Sequence, residues 1–516
     1  MVLIGDFRPE YVAEFNIHQN GIQIIESKDA VEIYGDPFRT VPLFITRRAS
    51  DKELIVFSQF QSYYSLEGVD RTIDVVGFWA ILLFGSGLST RTLYKHVEQM
   101  PGAARIVVDK HRNEYTIERY WDHNVMVDDS IKNIDQAALG LYERLDKIFA
   151  AIDRGGSYIM GLSGGIDSRI TLGFLSKYLS KDQLEVFTYG YDARILEHTY
   201  AKSIAEALSF NRPEFHKLSA RSYMMARDYM VERSGGQLSM DHCHMLDFFL
   251  SKSESLSGKT QISNYFTDAI FGWDCEIPKK RDTIEGANLF TVLRNSVIRE
   301  KDLVDEIAGD VRSVLDKYNP MYNYSKIDEY KYVTERNQKF HMLLAAVQNQ
   351  YVPTTLPYAD YDLLRYMISV PIEFRTNKKM VDYIIDRRFG RISSRLFRNI
   401  SSRDFKAVTA LSNLTDRCGS PMDFFHFKFL NRANALLRPL TEGHLQLFNK
   451  YQTEEQERLL YRDFSGCLHE ATTAIWKAGI FSWEQKKHYD KLPLRSGNDV
   501  GERYRLMSLS RLVASR

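Results

Sequence analysis

The sequence predicts an α/β protein organised on a doubly wound parallel sheet, preceded by a smaller β-rich domain and followed by a helical region. Three observations carry that expectation. A short apolar strand at residues 158–160 runs through Gly161-Leu162-Ser163-Gly164-Gly165 into a helix with Leu172 and Leu175 on one face. Strand and helix then alternate: residues 184–189 read as strand, 197–208 as helix, and His216 opens a further extended piece, an order that lays parallel strands side by side. Residues 1 to about 122 are instead rich in β-branched runs bounded by turn signals.

Taken in order, residues 31–34, 54–57 and 104–109 are expected strands, Gly35-Asp36-Pro37 marks a turn, and residues 74–84 read as a helix. From about residue 135 an amphipathic helix presents Leu141, Leu145, Ile148, Phe149 and Ile152, and leads through Gly155-Gly156 into the strand at 158. The division predicted is 1–122, 123–420 and 421–516. In the last of these, polar helices carry Phe424, Phe425, Phe427, Trp476 and Trp483 as aromatic anchors. Arg503, Arg505, Arg511 and Arg516 read as a solvated end.

With 516 residues the chain is long enough for two or more full cores, and 44% hydrophobic with 26% charged residues is an ordinary globular balance. Lys plus Arg number 68 against 67 Asp plus Glu, so the charge predicts no nucleic-acid partner. No apolar run is long enough to span a membrane, and residues 1–6 lack the pattern of a signal peptide. Cys243, Cys275, Cys418 and Cys467 form no close pair and read as reduced thiols, which predicts a cytoplasmic protein. Asp241-His242-Cys243-His244 is not expected to bind a metal, because adjacent residues on one segment rarely converge on one ion. His216 is read as a packing residue.

Chemistry concentrates at Ser163-Gly164-Gly165-Ile166-Asp167-Ser168. A turn of small residues lets the backbone approach an anion, and the amides that open the next helix are unpaired. Ser163 and Ser168 add hydroxyls, and Asp167 can orient the turn or help hold a divalent cation.

Ser-Gly-Gly-Ile-Asp-Ser after a strand resembles the pyrophosphate loop, or PP-loop, of the N-type ATP pyrophosphatases, in particular the asparagine synthetase and β-lactam synthetase group. Further motifs follow in the family's order. Ser263-Asn264-Tyr265-Phe266-Thr267-Asp268 is similar to its Gly-rich segment ending in a magnesium-binding Asp, and residues 351–364 with 370–375 resemble its helical region. Residues 90–94, Met100-Pro101-Gly102 and Arg119-Tyr120-Trp121-Asp122 resemble the close of its amino-terminal Ntn-type glutaminase domain. The resemblance implies ATP held by Leu162, Ser163, Gly164, Gly165, Asp167 and Ser168, with Tyr189 and Gly190 at the nucleoside edge and Mg²⁺ on Asp167 and Asp268. It implies catalytic roles for Tyr265, as a proton acceptor with a carboxylate partner, and for Lys406, as an oxyanion-stabilising lysine. Glu335 is near in sequence to the place of that carboxylate, and His341 occupies the aligned position.

Departures bear on function. Val2 stands where a glutaminase of this kind needs Cys, Ala269 replaces the Glu of asparagine synthetases, and Asn264 and Phe266 replace family glycines. The expected activity is therefore an ATP-dependent, AMP-forming amide ligase without its own glutaminase. It would adenylate a small-molecule or peptide carboxylate for attack by ammonia, a partner-delivered amine or an amine on the substrate itself. The last would make it a cyclase of the β-lactam or lasso-peptide kind. A nucleotide-binding scaffold without turnover is the rival from another class, and a homodimer is compatible with the family.

Overall fold

The structure, a computed structural model, describes residues 2–5, 9–190, 193, 195–242, 244–272, 275, 286–393, 464–491 and 497–514. It is an α/β architecture with one parallel and two mixed sheets. The amino-terminal strands are β1 (Val2–Ile4), β2 (Glu10–Tyr11), β3 (Ile22–Glu26), β4 (Ala30–Gly35), β5 (Phe44–Arg47), β6 (Leu54–Phe57), β7 (Glu98–Gln99), β8 (Ala104–Asp109) and β9 (Glu114–Arg119). They form sheets ordered β1-β6-β5-β7 and β2-β3-β4-β8-β9. Alternation decides which faces meet. Ala104, Ile106 and Val108 of β8 turn inward with Ile24 and Ile33, and pack with Ile45, Leu54 and Val56 of the other sheet.

The far face of that second sheet is also covered. Phe44 and Phe57 pack with the helices Phe60–Tyr64 and Val75–Phe84. The latter starts where Asp74 accepts the amides of Val76 and Gly77, and stops at Gly85 in the left-handed region (φ 84°). Its middle is apolar on every side, so it is buried all round.

The parallel sheet is built from β10 (Ser157–Gly161), β11 (Leu184–Gly190), β12 (Glu214–Lys217), β13 (Lys259–Ile262) and β14 (Thr354–Thr355), in the order β12-β11-β10-β13-β14. All four pairings are parallel. Both faces are buried, as apolar parallel strands require. Tyr158 and Met160 share a core with the helices Ile134–Ala150 and Ile166–Leu175, whereas Ile159 and Phe187 pack with Phe248 and Phe249 of the helix His244–Ser251. Successive strands are added outward on one side of β10 as far as β12, and on its other side from β13. This order leaves a crevice at the carboxyl ends of β10 and β13, where their loops diverge.

Two expectations for the last residues are corrected. The helix Gly497–Ala514 is no solvated end: Tyr504, Leu506, Met507 and Leu509 are buried, Arg503 is buried, and Arg505 Nε donates to the Leu82 carbonyl at 2.6 Å. Its polar residues are spread around every face, so the amphipathic cue was missing while the surroundings supply partners for the charges. Trp476 and Trp483 are exposed and meet edge to face at 5.5 Å, so they do not anchor the core. Arg511 is exposed, and Arg516, Phe424, Phe425 and Phe427 lie outside the described residues. No helix among the described residues is long and apolar enough to cross a membrane.

Candidate functional site

β10 delivers the small-residue turn to the crevice. Leu162 continues the strand by donating its amide to the Phe187 carbonyl (2.8 Å), and Thr188 Oγ1 donates to the Leu162 carbonyl (2.8 Å). The turn is laced internally. Gly165 N–H donates to Ser163 Oγ (3.1 Å), Ser168 Oγ donates to the Ser163 carbonyl (3.1 Å), and the buried Arg169 donates through Nη2 to the Gly164 carbonyl (2.9 Å). Gly165 caps the helix Ile166–Leu175 without a side-chain hydrogen bond, so its opening amides are left for another acceptor. Gly164 is needed for close approach, since a Cβ there would come within 2.9 Å of Tyr200.

These groups open on a cavity of about 330 Å³. Of the sequence-predicted residues, Leu162, Ser163, Gly165, Asp167 and Ser168 line it from the turn. Tyr189 lines it from β11, Tyr265 from the loop after β13, and Asp268 from the short helix Thr267–Ile270 that follows. Gly164 and Gly190 stand behind this wall, against Tyr200 and Ile195 respectively. A larger cleft of about 1070 Å³, beside the helix Tyr361–Ser369, contains none of the predicted site residues. The smaller cavity is the one that the small-residue turn and the loop after β13 both line.

Two of its lining residues, Asp167 and Asp268, share an ion trio with the buried Lys378. Lys378 Nζ lies 2.8 and 2.7 Å from the two carboxylate oxygens of Asp167 and 2.8 Å from Asp268 Oδ1. The ammonium is buried, and the two carboxylates are only partly so. Burial and the facing Asp268 raise Asp167 to about 6 against the pull of Lys378. Burial also acts to raise Asp268, but there Lys378 prevails and holds it below the ordinary carboxylate range. Lys378 is itself raised by the two acids in spite of burial.

Backbone geometry brings this lysine in. Arg375 is buried and paired with Glu329, and donates to the carbonyls of Val370 and Asn323. Asn377 and Lys378 then take φ values of 56° each, folding the chain so that Lys378 caps the helix Lys379–Arg388. Left-handed residues other than glycine cost about 1–3 kcal/mol each, so the surrounding contacts hold this turn.

Besides their bonds to Lys378, Asp167 and Asp268 both line the cavity, and two carboxylates are an all-oxygen donor set that fits a magnesium ion whose other ligands are phosphate oxygens and water. Among the described residues no third His, Cys, Asp or Glu joins them, so the set does not fit an all-protein cage.

The loop after β13 holds two further findings. Phe266 has φ 75°, so a bulky residue adopts the conformation for which glycine is the usual choice. Its buried ring meets Phe38 edge to face at 5.0 Å, and thereby ties the loop to the amino-terminal sandwich. Asn264 Oδ1 accepts from Thr171 (2.7 Å), which fixes the loop to the helix Ile166–Leu175.

Among the described residues Tyr265 does not meet a carboxylate. Its hydroxyl accepts from Gln348 Nε2 (2.8 Å), and burial with Tyr189 nearby raises its pKa. Glu335 belongs elsewhere, paired with Arg119 (3.3 Å) and Lys339. His341 instead lies parallel to Tyr265 at 6.0 Å between ring centroids and lines the cavity. His216 pairs with Asp247 (2.6 Å) and packs on Phe248, so it is more than a packing residue. Lys406 and Cys243 lie outside the described residues.

Sequence reasoning thus missed Lys378 as a site residue. The only local cue was Asn377 in a basic stretch after Pro371, a turn signal rather than a chemical one. No family model matches the chain, and no curated protein matches its sequence.

Proposed function

We propose that this chain is an ATP-dependent, AMP-forming ligase of the asparagine synthetase kind, with a doubly wound PP-loop sheet and a glutaminase-like sandwich. It would adenylate a carboxylate and pass the acyl group to an amine. The observation that carries this reading is the Asp167–Lys378–Asp268 trio beside the Ser163–Ser168 turn, at the crevice between β10 and β13. Pyrophosphate needs close backbone donors, positive charge and a divalent ion together, and this place offers the elements of each.

The roles follow from the groups. The amides that open the helix Ile166–Leu175 and the Ser163 hydroxyl would bind phosphate oxygens, while Lys378 would neutralise charge gathering on pyrophosphate as it leaves. Asp167 and Asp268 would hold Mg²⁺, which supplies charge neutralisation when bound. Arg169 and Thr171 act at one remove, by holding the turn and the Asn264 loop in register. Most of the rate would come from positioning.

No cysteine occurs before Cys243, so the amine is assigned to free ammonia, a partner's delivery or the substrate itself. The last case is cyclisation. A specific observation favours the scaffold as second reading: the phenol of Tyr265 meets an amide rather than a carboxylate. The test is nucleotide analysis after incubation of the protein with Mg²⁺, ATP and a pool of amino, peptide and sugar acids. AMP and pyrophosphate are expected; binding without AMP across the pool would favour the scaffold, and ADP would defeat the adenylation reading.

A further inference from the structure

We propose that the cleft of about 1070 Å³ beside the helix Tyr361–Ser369 docks an acidic peptide segment of another protein in extended form. The proposal is independent of the ligase reading, since this cleft shares no lining residue with the cavity at the β10 turn. Small-ligand pockets hold about 300–1,000 Å³, and this cleft lies above that range.

Three acids and three bases line the cleft, and their partners differ. Asp360 caps the helix by accepting from the Leu363 amide (2.7 Å), Asp128 accepts from the Ser130 amide (3.0 Å) and hydroxyl (2.6 Å), and Asp362 lies 3.5 Å from His18. Each acid thus has a local partner. Among the described residues Arg144, Lys147 and Arg365 pair with no carboxylate. A cleft whose acids are occupied and whose bases are not is complementary to an acidic ligand.

One of these bases is held in place. Arg144 lies over the Tyr366 ring at 3.9 Å from its centroid and donates to the Gly140 carbonyl (2.9 Å), while the Tyr366 hydroxyl donates to the Ala137 carbonyl (2.8 Å). Gly140 makes room for this stack, because a Cβ there would collide with the Tyr366 ring. Glycine inside a helix costs about 1 kcal/mol relative to alanine, and here it lets the ring that carries the guanidinium lie against the helix Ile134–Ala150.

Another wall is the segment 124–128, which belongs to no helix or strand. It is tied down at two points: the Asn323 amide donates to the Val125 carbonyl (3.1 Å), and the Asp128 amide donates to the Ser369 carbonyl (2.8 Å). Between them the backbone N–H and C=O groups of Met126 and Val127 have no partner among the described residues, and both side chains are exposed. An extended chain laid along them would pair with these groups and cover the two apolar side chains. The occupant that these walls define carries both acidic and apolar residues.

The test is selection of displayed random peptides on the full chain, with the double variant Lys147→Glu, Arg365→Glu in parallel. Both positions are exposed, so the variant is expected to fold, which an unfolding curve checks. The wild type should select peptides rich in Asp and Glu with Val, Ile or Leu. A selected peptide, made synthetically and followed by fluorescence anisotropy, should bind the double variant at least about tenfold more weakly. Met126→Pro removes one of the free N–H groups and should weaken binding about threefold or more. A selection without acidic residues, or binding unchanged in either variant, would overturn the proposal. Displacement of the peptide by inorganic phosphate but not by chloride of equal ionic strength would overturn it in favour of a small-anion site. A dimer in sedimentation that the double variant dissolves would overturn it by giving the cleft to a second copy of the chain.

Discussion

Two buried clusters of charge in this molecule invite comparison. At the crevice, Lys378 sits between Asp167 and Asp268, and both acids keep some access to the cavity. Where the amino-terminal sandwich meets the π-helical segment Tyr332–His341, Glu335 faces Arg119 and Lys339, with Arg39 nearby, and Arg39, Glu335 and Lys339 are sealed. The first cluster has two acids to one base and opens on a cavity of about 330 Å³; the second has more bases than acids and lines none of the cavities described. The difference teaches how to tell a site from a staple. A cluster left short of positive charge beside an open volume is poised for cations and the anions they carry, whereas a closed one joins two parts of the chain.

Breaking the sealed cluster should have the largest effect on stability. Glu335→Ala leaves Lys339, Arg119 and Arg39 without their carboxylate and is expected to cost about 3–5 kcal/mol. Denaturant unfolding checks this, with the AMP yield per folded molecule little changed. The corresponding change in the open cluster, Lys378→Met, should spare most stability and lower AMP formation about 10²-fold. It should also shift the magnesium requirement to lower concentration, since the two acids no longer share an ammonium; a magnesium titration of turnover reads both.

A pH series sharpens the contrast further. Burial lowers Lys339 to about 8, against an ordinary 10.5, despite Glu335. Between these values the unfolded chain binds more protons than the folded one, so raising the pH through that window favours folding. The gain approaches about 3 kcal/mol at the upper end. In Lys339→Met this contribution is absent, and the difference between the two unfolding curves across that window isolates it.

Much of the fold was legible because period and punctuation agreed with the final packing. Residues 104–109 alternate and form β8, and the strand–turn–helix at 157–175 forms with its predicted residues around the cavity. The rest was hidden for physical reasons. Lys378 reaches the carboxylates through a left-handed turn that nothing in its own side chain announces. Phe266 keeps a glycine-like backbone because its ring finds Phe38, in the turn after β4 and far away in sequence. The helix Gly497–Ala514 has no single polar face, although Tyr504, Leu506, Met507 and Leu509 are buried and Arg505 finds the Leu82 carbonyl. Local patterns carry the elements; convergence of distant segments carries the site.

The most direct test of the central claim is AMP formation by the wild-type chain beside Asp268→Ala, with unfolding curves for both. The account predicts AMP and pyrophosphate from the wild type and a loss of at least about 10²-fold in the variant, with its fold retained. Equal AMP from both proteins would contradict it, because the trio at the crevice would then have no part in the chemistry.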